Sequence, residues 1–119
     1  MEHILDINDR AFLAIKEERK KVEIRANTNF SDIDYSNFKV NDTIQFYNSN
    51  NEILRCEITK INWYKDVENL LQKEGTLYTL SSTNDYKLGL KSIYSLTGYR
   101  ESIPKNGVYA IHIKLIKNW

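Results

Sequence analysis

One cysteine, one proline, four glycines and two histidines are all that 119 residues contain of these types, and each scarcity excludes something. A lone Cys56 can form no internal disulfide, which points to a reducing, cytoplasmic setting. Few and scattered glycines, with Pro104 the single proline, leave no low-complexity stretch, no flexible interdomain linker and no Gly-rich phosphate loop. Neither His3 nor His112 has a Cys or carboxylate at a metal-ligand spacing, so no metal and no cofactor is expected, and His112 reads as a hydrogen-bonded sheet residue. No apolar run approaches the roughly 20 residues that span a bilayer. The first seven residues also lack the basic start and apolar stretch of a signal peptide. Charge of either sign is not in excess: 17 basic against 16 acidic side chains give +1. A histone-like or polybasic membrane mode is therefore excluded, and any nucleic-acid contact has to come from a local patch.

What is present is the composition of an ordinary globular domain, 41% hydrophobic and 12% aromatic, long enough to bury a core without staples. The expectation is one domain over residues 1–119. Asn8 or Asp9 caps a helix running to about Arg19, with Ala11, Phe12 and Ile15 on one face. Val22, Ile24 and Ala26 then alternate with Lys21, Glu23 and Arg25, the period of a half-buried strand. Residues 27–37 have no usable period and read as a long surface loop. Asn41 takes a left-handed conformation in a turn before a strand over 43–47, and Asn48 to Asn51 close a hairpin onto a return strand from Ile53 to about Asn62. Cys56 and Ile58 share the inward face of that strand. Asp66 caps a short helix that buries Val67, Leu70 and Leu71 and stops at Gly75. A second helix, from Asn84 to Leu96, buries Leu90, Ile93 and Tyr94 and leaves Lys87 and Lys91 in solvent. Residues 107–116 form a long apolar strand central to the sheet. This mixture is α+β, with the hairpin and the closing strand favouring a small, partly closed β-barrel with peripheral helices.

The segment Glu18 to Arg25 resembles the first motif of the ASCH domain family, G-x-K-x-x-E-x-R, with Lys20, Glu23 and Arg25 in place. Phe38 to Phe46 looks like the family's (I/L)-K-x-G-D-x-I-x-F, and Gly107 to Ile113 looks like its terminal Y-G-V-x-A-I-x-I. The resemblance implies a PUA-like barrel and an association with RNA. Glu18 and Asn41 stand where the motifs carry glycine, and Asn is the better substitute where φ is positive. Small ASCH proteins that this chain resembles remove an acetyl group from N-acetylated cytidine with the first-motif Lys, a Thr and a distant Glu. Lys20 matches that Lys, Glu23 replaces the Thr, and residues 77–81, the region for the distant Glu, hold no carboxylate.

Lys21, Glu23 and Arg25 at i, i+2 and i+4 point to one face of a strand. One reading is a solvated ion-pair ladder contributing about 0–1 kcal/mol. In the other, Arg25 offers a planar fork to a phosphate or a base edge, Glu23 holds that fork or accepts a base amino proton, and Lys20 stands at the entrance. Trp63, Tyr64, Tyr94 and Tyr99 lie near element ends, where aromatics serve for base stacking or as core and rim. Arg100, Lys105, Lys114 and Lys117 against Glu101 make the last twenty residues locally basic. They either complete a groove with Lys20, Lys21 and Arg25 or protect a sheet edge. The binding set is then Lys20, Lys21, Glu23, Arg25, Trp63 and Tyr64, for RNA or a modified nucleoside. Should the protein be a hydrolase of N-acylated cytidine, Lys20 and Glu23 are the catalytic pair. A protein-interaction module is the third reading.

Overall fold

A computed structural model describes residues 1–81 and 83–117. In chain order the elements are β1 (Glu2–Asp6), α1 (Asp9–Lys16), β2 (Val22–Arg25), a single 3-10 turn (Tyr35–Asn37), β3 (Thr43–Tyr47), β4 (Ile53–Tyr64), α2 (Val67–Glu74), α3 (Tyr86–Tyr94), α4 (Tyr99–Asn106) and β5 (Val108–Leu115). The five strands form one sheet in the order β1-β3-β4-β5-β2, with β1 parallel to β3 and every other pair antiparallel. The sheet curls into a half-barrel, so the architecture is the expected α+β small barrel with helices around it.

Two cores lie on the two faces of the sheet. Inside the curl, Leu5, Phe12, Ile15, Ile44, Phe46, Cys56, Ile58 and Ile111 pack α1 against β1, β3, β4 and β5. On the other face, Val22, Ile24, Val67, Leu70, Ile93, Ile103, Val108 and Ala110 pack α2, α3 and α4 against β2 and β5. Strand β5 is thus covered on both faces, which accounts for its near-continuous apolar run. Burial pushes the Cys56 thiol up to about 12, with the charge of Glu23 adding to it, so the thiol is an inert core group.

Several expectations shift in detail. Strand β4 continues two residues beyond Asn62, because a bulge between Ile58 and Lys60 breaks the alternation and restarts it. The second helix is shorter than 84–96, capped by Asp85, whose carboxylate accepts from the backbone N–H of Leu88. Strand β1 and helix α4 carry no counterpart in the sequence reading. The loop at 27–37 is not wholly a surface segment, since Tyr35 is buried at 4% exposure.

Helix α1 ends earlier than Arg19, and it ends in a Schellman motif. The N–H of Glu18 bonds Ile15 O at 3.0 Å and that of Arg19 bonds Ala14 O at 2.8 Å, the two bonds of that motif. Glu18 therefore sits at the left-handed position, with φ +59°, where the family motif carries glycine. Asn41 likewise adopts φ +77°, as expected from its place in the turn. The reversal after α1 turns Lys20 back under the helix.

Candidate functional site

Strand β2 was expected to be half-buried with a charged outer face; instead Val22, Glu23 and Ile24 are all buried and Arg25 nearly so. The register explains why. Glu23 pairs with Ile111 and Arg25 with Tyr109, so both charged side chains project to the inner, α1 side of the half-barrel. The outer edge of β2 is partnered where the strand begins. Tyr78 O accepts from the N–H groups of Lys21 and Val22 at 2.9 and 3.1 Å, which sets Tyr78 against the start of that edge.

These charges form a closed network. Lys20, only 5% exposed, donates to Thr79 O at 2.6 Å and Val22 O at 2.7 Å, and its Nζ lies 3.4 Å from Glu23 Oε1. Glu23 Oε2 accepts from Arg25 Nε at 2.8 Å. The rest of the Arg25 fork is engaged as well, Nη1 with the Tyr35 hydroxyl at 3.2 Å and Nη2 with Asp6 O at 2.8 Å. Burial is the chief influence on Lys20 and lowers its pKa below the ordinary lysine range; Arg25 works in the same direction and Glu23 against it. For Glu23, burial works to raise the pKa, but Arg25 and Lys20 outweigh it and hold the carboxylate ionised below its usual range.

The network forms one wall of a cleft of about 270 Å³ between the sheet and helices α1 and α3. Ala11 of α1, Ser92 of α3, Leu96 and Thr97 of the loop that follows, and Tyr99 of α4 form the facing walls. Such a volume falls just below the roughly 300–1,000 Å³ of most small-molecule sites, so the cleft fits a small group and not a folded strand. A carboxylate has about four lone-pair directions. Two are taken by Arg25 and Lys20, and Glu23 retains acceptor capacity at the cleft wall.

The cleft gathers Lys20, Glu23 and Arg25 but not the other expected residues. Lys21 is exposed, its ammonium 5.0 Å from the centre of the Tyr78 ring. Trp63 lies against Gly107, where φ is +77° and a Cβ would fall 2.3 Å from the indole, and it donates from Nε1 to Asn106 O at 3.0 Å. Tyr64 donates to Glu74 Oε2 at 2.5 Å, Tyr94 to Glu68 Oε1 at 2.8 Å, and His112 Nε2 bonds Glu74 Oε1 at 2.7 Å. Of the four aromatics singled out in the sequence, only Tyr99 lines the cleft. None of Arg100, Lys105, Lys114 and Lys117 does: Lys117 pairs with Glu18 at 2.9 Å, and Lys114 faces Glu57 of β4, beyond the point where β2 stops pairing with β5.

Four members of the network escape sequence reasoning. Tyr35 lies in a segment without period, and the carbonyls of Asp6, Val22 and Thr79 belong to the backbone, which carries no side-chain signature.

The ASCH domain model matches residues 5–117. No protein of curated function matches the chain. Among solved structures, the crystal structure of hypothetical protein PH0355 is similar at TM-score 0.82 and 26% identity, over 98% of this chain and 100% of that one. The solution NMR structure of protein PF0455 from Pyrococcus furiosus is similar at TM-score 0.75 and 24% identity, over 98% and 99% of the two chains. The chain belongs to the ASCH domain family.

Proposed function

We propose that this protein binds a single base, presented by RNA or as a modified nucleoside, in the cleft walled by Lys20, Glu23 and Arg25. The observation that carries the reading is Glu23, a carboxylate 6% exposed, kept ionised by two cations and opening onto that cleft. An amino or imino N–H of a base is a donor, and a fixed carboxylate in a desolvated cleft is its matching acceptor. Arg25 acts through Glu23: with its fork spent on Glu23, Tyr35 and Asp6 O, it positions the carboxylate rather than reaching for phosphate. Tyr99 supplies an aromatic wall. The test is calorimetric titration of nucleosides, including N-acetylcytidine, into wild type, Leu96→Trp and Lys87→Ala. Leu96 is an exposed wall residue, so a Trp there fills the cleft without touching either core. The expected result is binding that Leu96→Trp weakens at least tenfold and Lys87→Ala leaves alone. Equal affinities in all three would remove the cleft from the function.

A second reading, hydrolysis of an N-acylated base, is favoured by the lowered pKa of Lys20. Neutral Lys20 would take a proton from water as the oxygen adds to the acyl carbonyl. The C–N bond then breaks, and the same proton passes to the departing amine, yielding the free base and a carboxylic acid. Lys20→Arg keeps the charge but cannot give up its proton. Acetate released from N-acetylcytidine by wild type and not by Lys20→Arg would support this reading; release by both variants would refute it.

A further inference from the structure

Past Ser81 and Ser92 the cleft opens into an outer cavity of about 380 Å³, with Asn8, Ser81 and Ser92 as walls common to both and Arg10 as the remaining wall. We propose that this outer cavity is a phosphate subsite centred on Arg10, so that the ligand is a nucleotide and not a bare nucleoside. The inference rests on the reading of the inner cleft as a base site.

The two cavities differ in chemistry. Two carboxylate residues, Glu23 and Asp6, line the inner one, whereas the outer one has none. Asn8 spends its side-chain oxygen on the cap of α1, accepting from the N–H of Ala11 at 2.8 Å, which leaves its NH₂, a donor, for the cavity. Arg10 is exposed, and among the described residues neither its guanidinium nor the hydroxyls of Ser81 and Ser92 have a partner. The neighbouring carboxylate that would neutralise Arg10, Asp9, is engaged by Ser49, whose N–H donates to Oδ1 at 3.1 Å and whose hydroxyl donates to Oδ2 at 2.7 Å. The outer cavity is thus lined by a guanidinium fork, an amide NH₂ and two hydroxyls, with no competing negative charge. That donor set matches a phosphate oxygen cluster, for which Arg offers two parallel N–H bonds. A base held at Glu23 would send its sugar outward past Ser92, because the inner walls are closed by Lys20 and Thr79, and the phosphate would follow toward Arg10. The same chemistry serves a free nucleotide and a nucleotide within an RNA strand.

The experiment compares cytidine, uridine, adenosine and guanosine with their 5′-monophosphates, and with a single-stranded hexanucleotide of the preferred base. Each is titrated into wild type, Arg10→Ala and Arg10→Lys at low salt. The monophosphate should bind about tenfold or more tightly than its nucleoside, the range of one charge-assisted contact. Arg10→Ala should erase that advantage and leave nucleoside affinity unchanged, Arg10→Lys should keep part of it, and added salt should shrink it. Preference for the monophosphate or for the hexanucleotide assigns the source of the phosphate, and either supports the subsite provided that Arg10→Ala abolishes it. A phosphate advantage that survives Arg10→Ala, or nucleoside and nucleotide binding equally, overturns the subsite while the base site stands. Absence of binding by all of them overturns both readings together.

Discussion

Replacing Glu23 by Gln separates the buried network from a solvated ladder by magnitude alone. The substitution keeps shape and one acceptor oxygen for Arg25 Nε, now at 2.8 Å from the carboxylate, but removes the only negative charge between two buried cations. Its new NH₂ can also turn toward Lys20, donor against donor. Removing one partner of a buried ion pair typically costs about 3–5 kcal/mol. Two features place this case toward the lower figure. Arg25 keeps the Tyr35 hydroxyl and Asp6 O, and Lys20, whose pKa is already lowered by burial, can relieve the imbalance by losing its proton, which Arg25 cannot do. A loss of about 3 kcal/mol lowers the melting temperature by about 10 °C in a domain of this size. Thermal and urea denaturation at pH 7 measure it. Because Lys20 deprotonates more readily once Glu23 is gone, the deficit should narrow as pH rises. Adding Lys20→Met to Glu23→Gln leaves one unpaired cation in place of two and should recover at least about 1 kcal/mol of the loss, a coupling expected only of groups in contact. A Glu23→Gln variant within about 0.5 kcal/mol of wild type would refute the reasoning, since that is how an exposed ladder behaves.

Glu18→Gly should stabilise the protein by about 1 kcal/mol, because it relieves the left-handed cost of a side chain at φ +59°, and the Lys117 ion pair it gives up is exposed on both sides and weak; a lower urea midpoint would contradict this. Asp42 has its pKa lowered to about 2, first by the hydrogen bond with His3 and also by the Lys39 N–H and the terminal amine. A carboxyl lowered on folding stabilises above its unfolded value of 3.8 and loses that contribution as pH falls toward about 2. Asp42→Asn should therefore melt below wild type at pH 6, with the gap closing as pH falls from about 4 through about 2, and a gap independent of pH would exclude the carboxylate as its source.

Sequence pattern reaches some elements and not others for identifiable reasons. Strands β3 and β5 are legible because each carries its burial in consecutive or alternating apolar residues. Strand β1 buries only Leu5 fully, too little for a period, and its parallel partner β3 is some forty residues away. Helix α4 carries Pro104 in its second half and buries only Ser102 and Ile103, so neither its stripe nor its composition announces a helix. At β2, alternation gives the correct faces and the wrong solvent. A charged face reads identically whether it meets water or an internal set of partners, and the partners here, Tyr35, Asp6 O and Thr79 O, come from segments without period. Trp63 and Tyr64 stand at the end of a strand as expected, yet Trp63 packs over Gly107, Tyr64 bonds Glu74, and neither lines the cleft.

The most direct test of the central claim is a ¹⁵N-resolved NMR titration with the tightest-binding nucleoside or nucleotide. The account expects saturable shifts at Thr79, Ser92, Thr97 and Tyr99, around the wall formed by Lys20 and Glu23, with Trp63 and Lys114 unmoved. Shifts confined to Trp63, Tyr64 or the Lys21 and Lys114 surface, with the cleft silent, would contradict it.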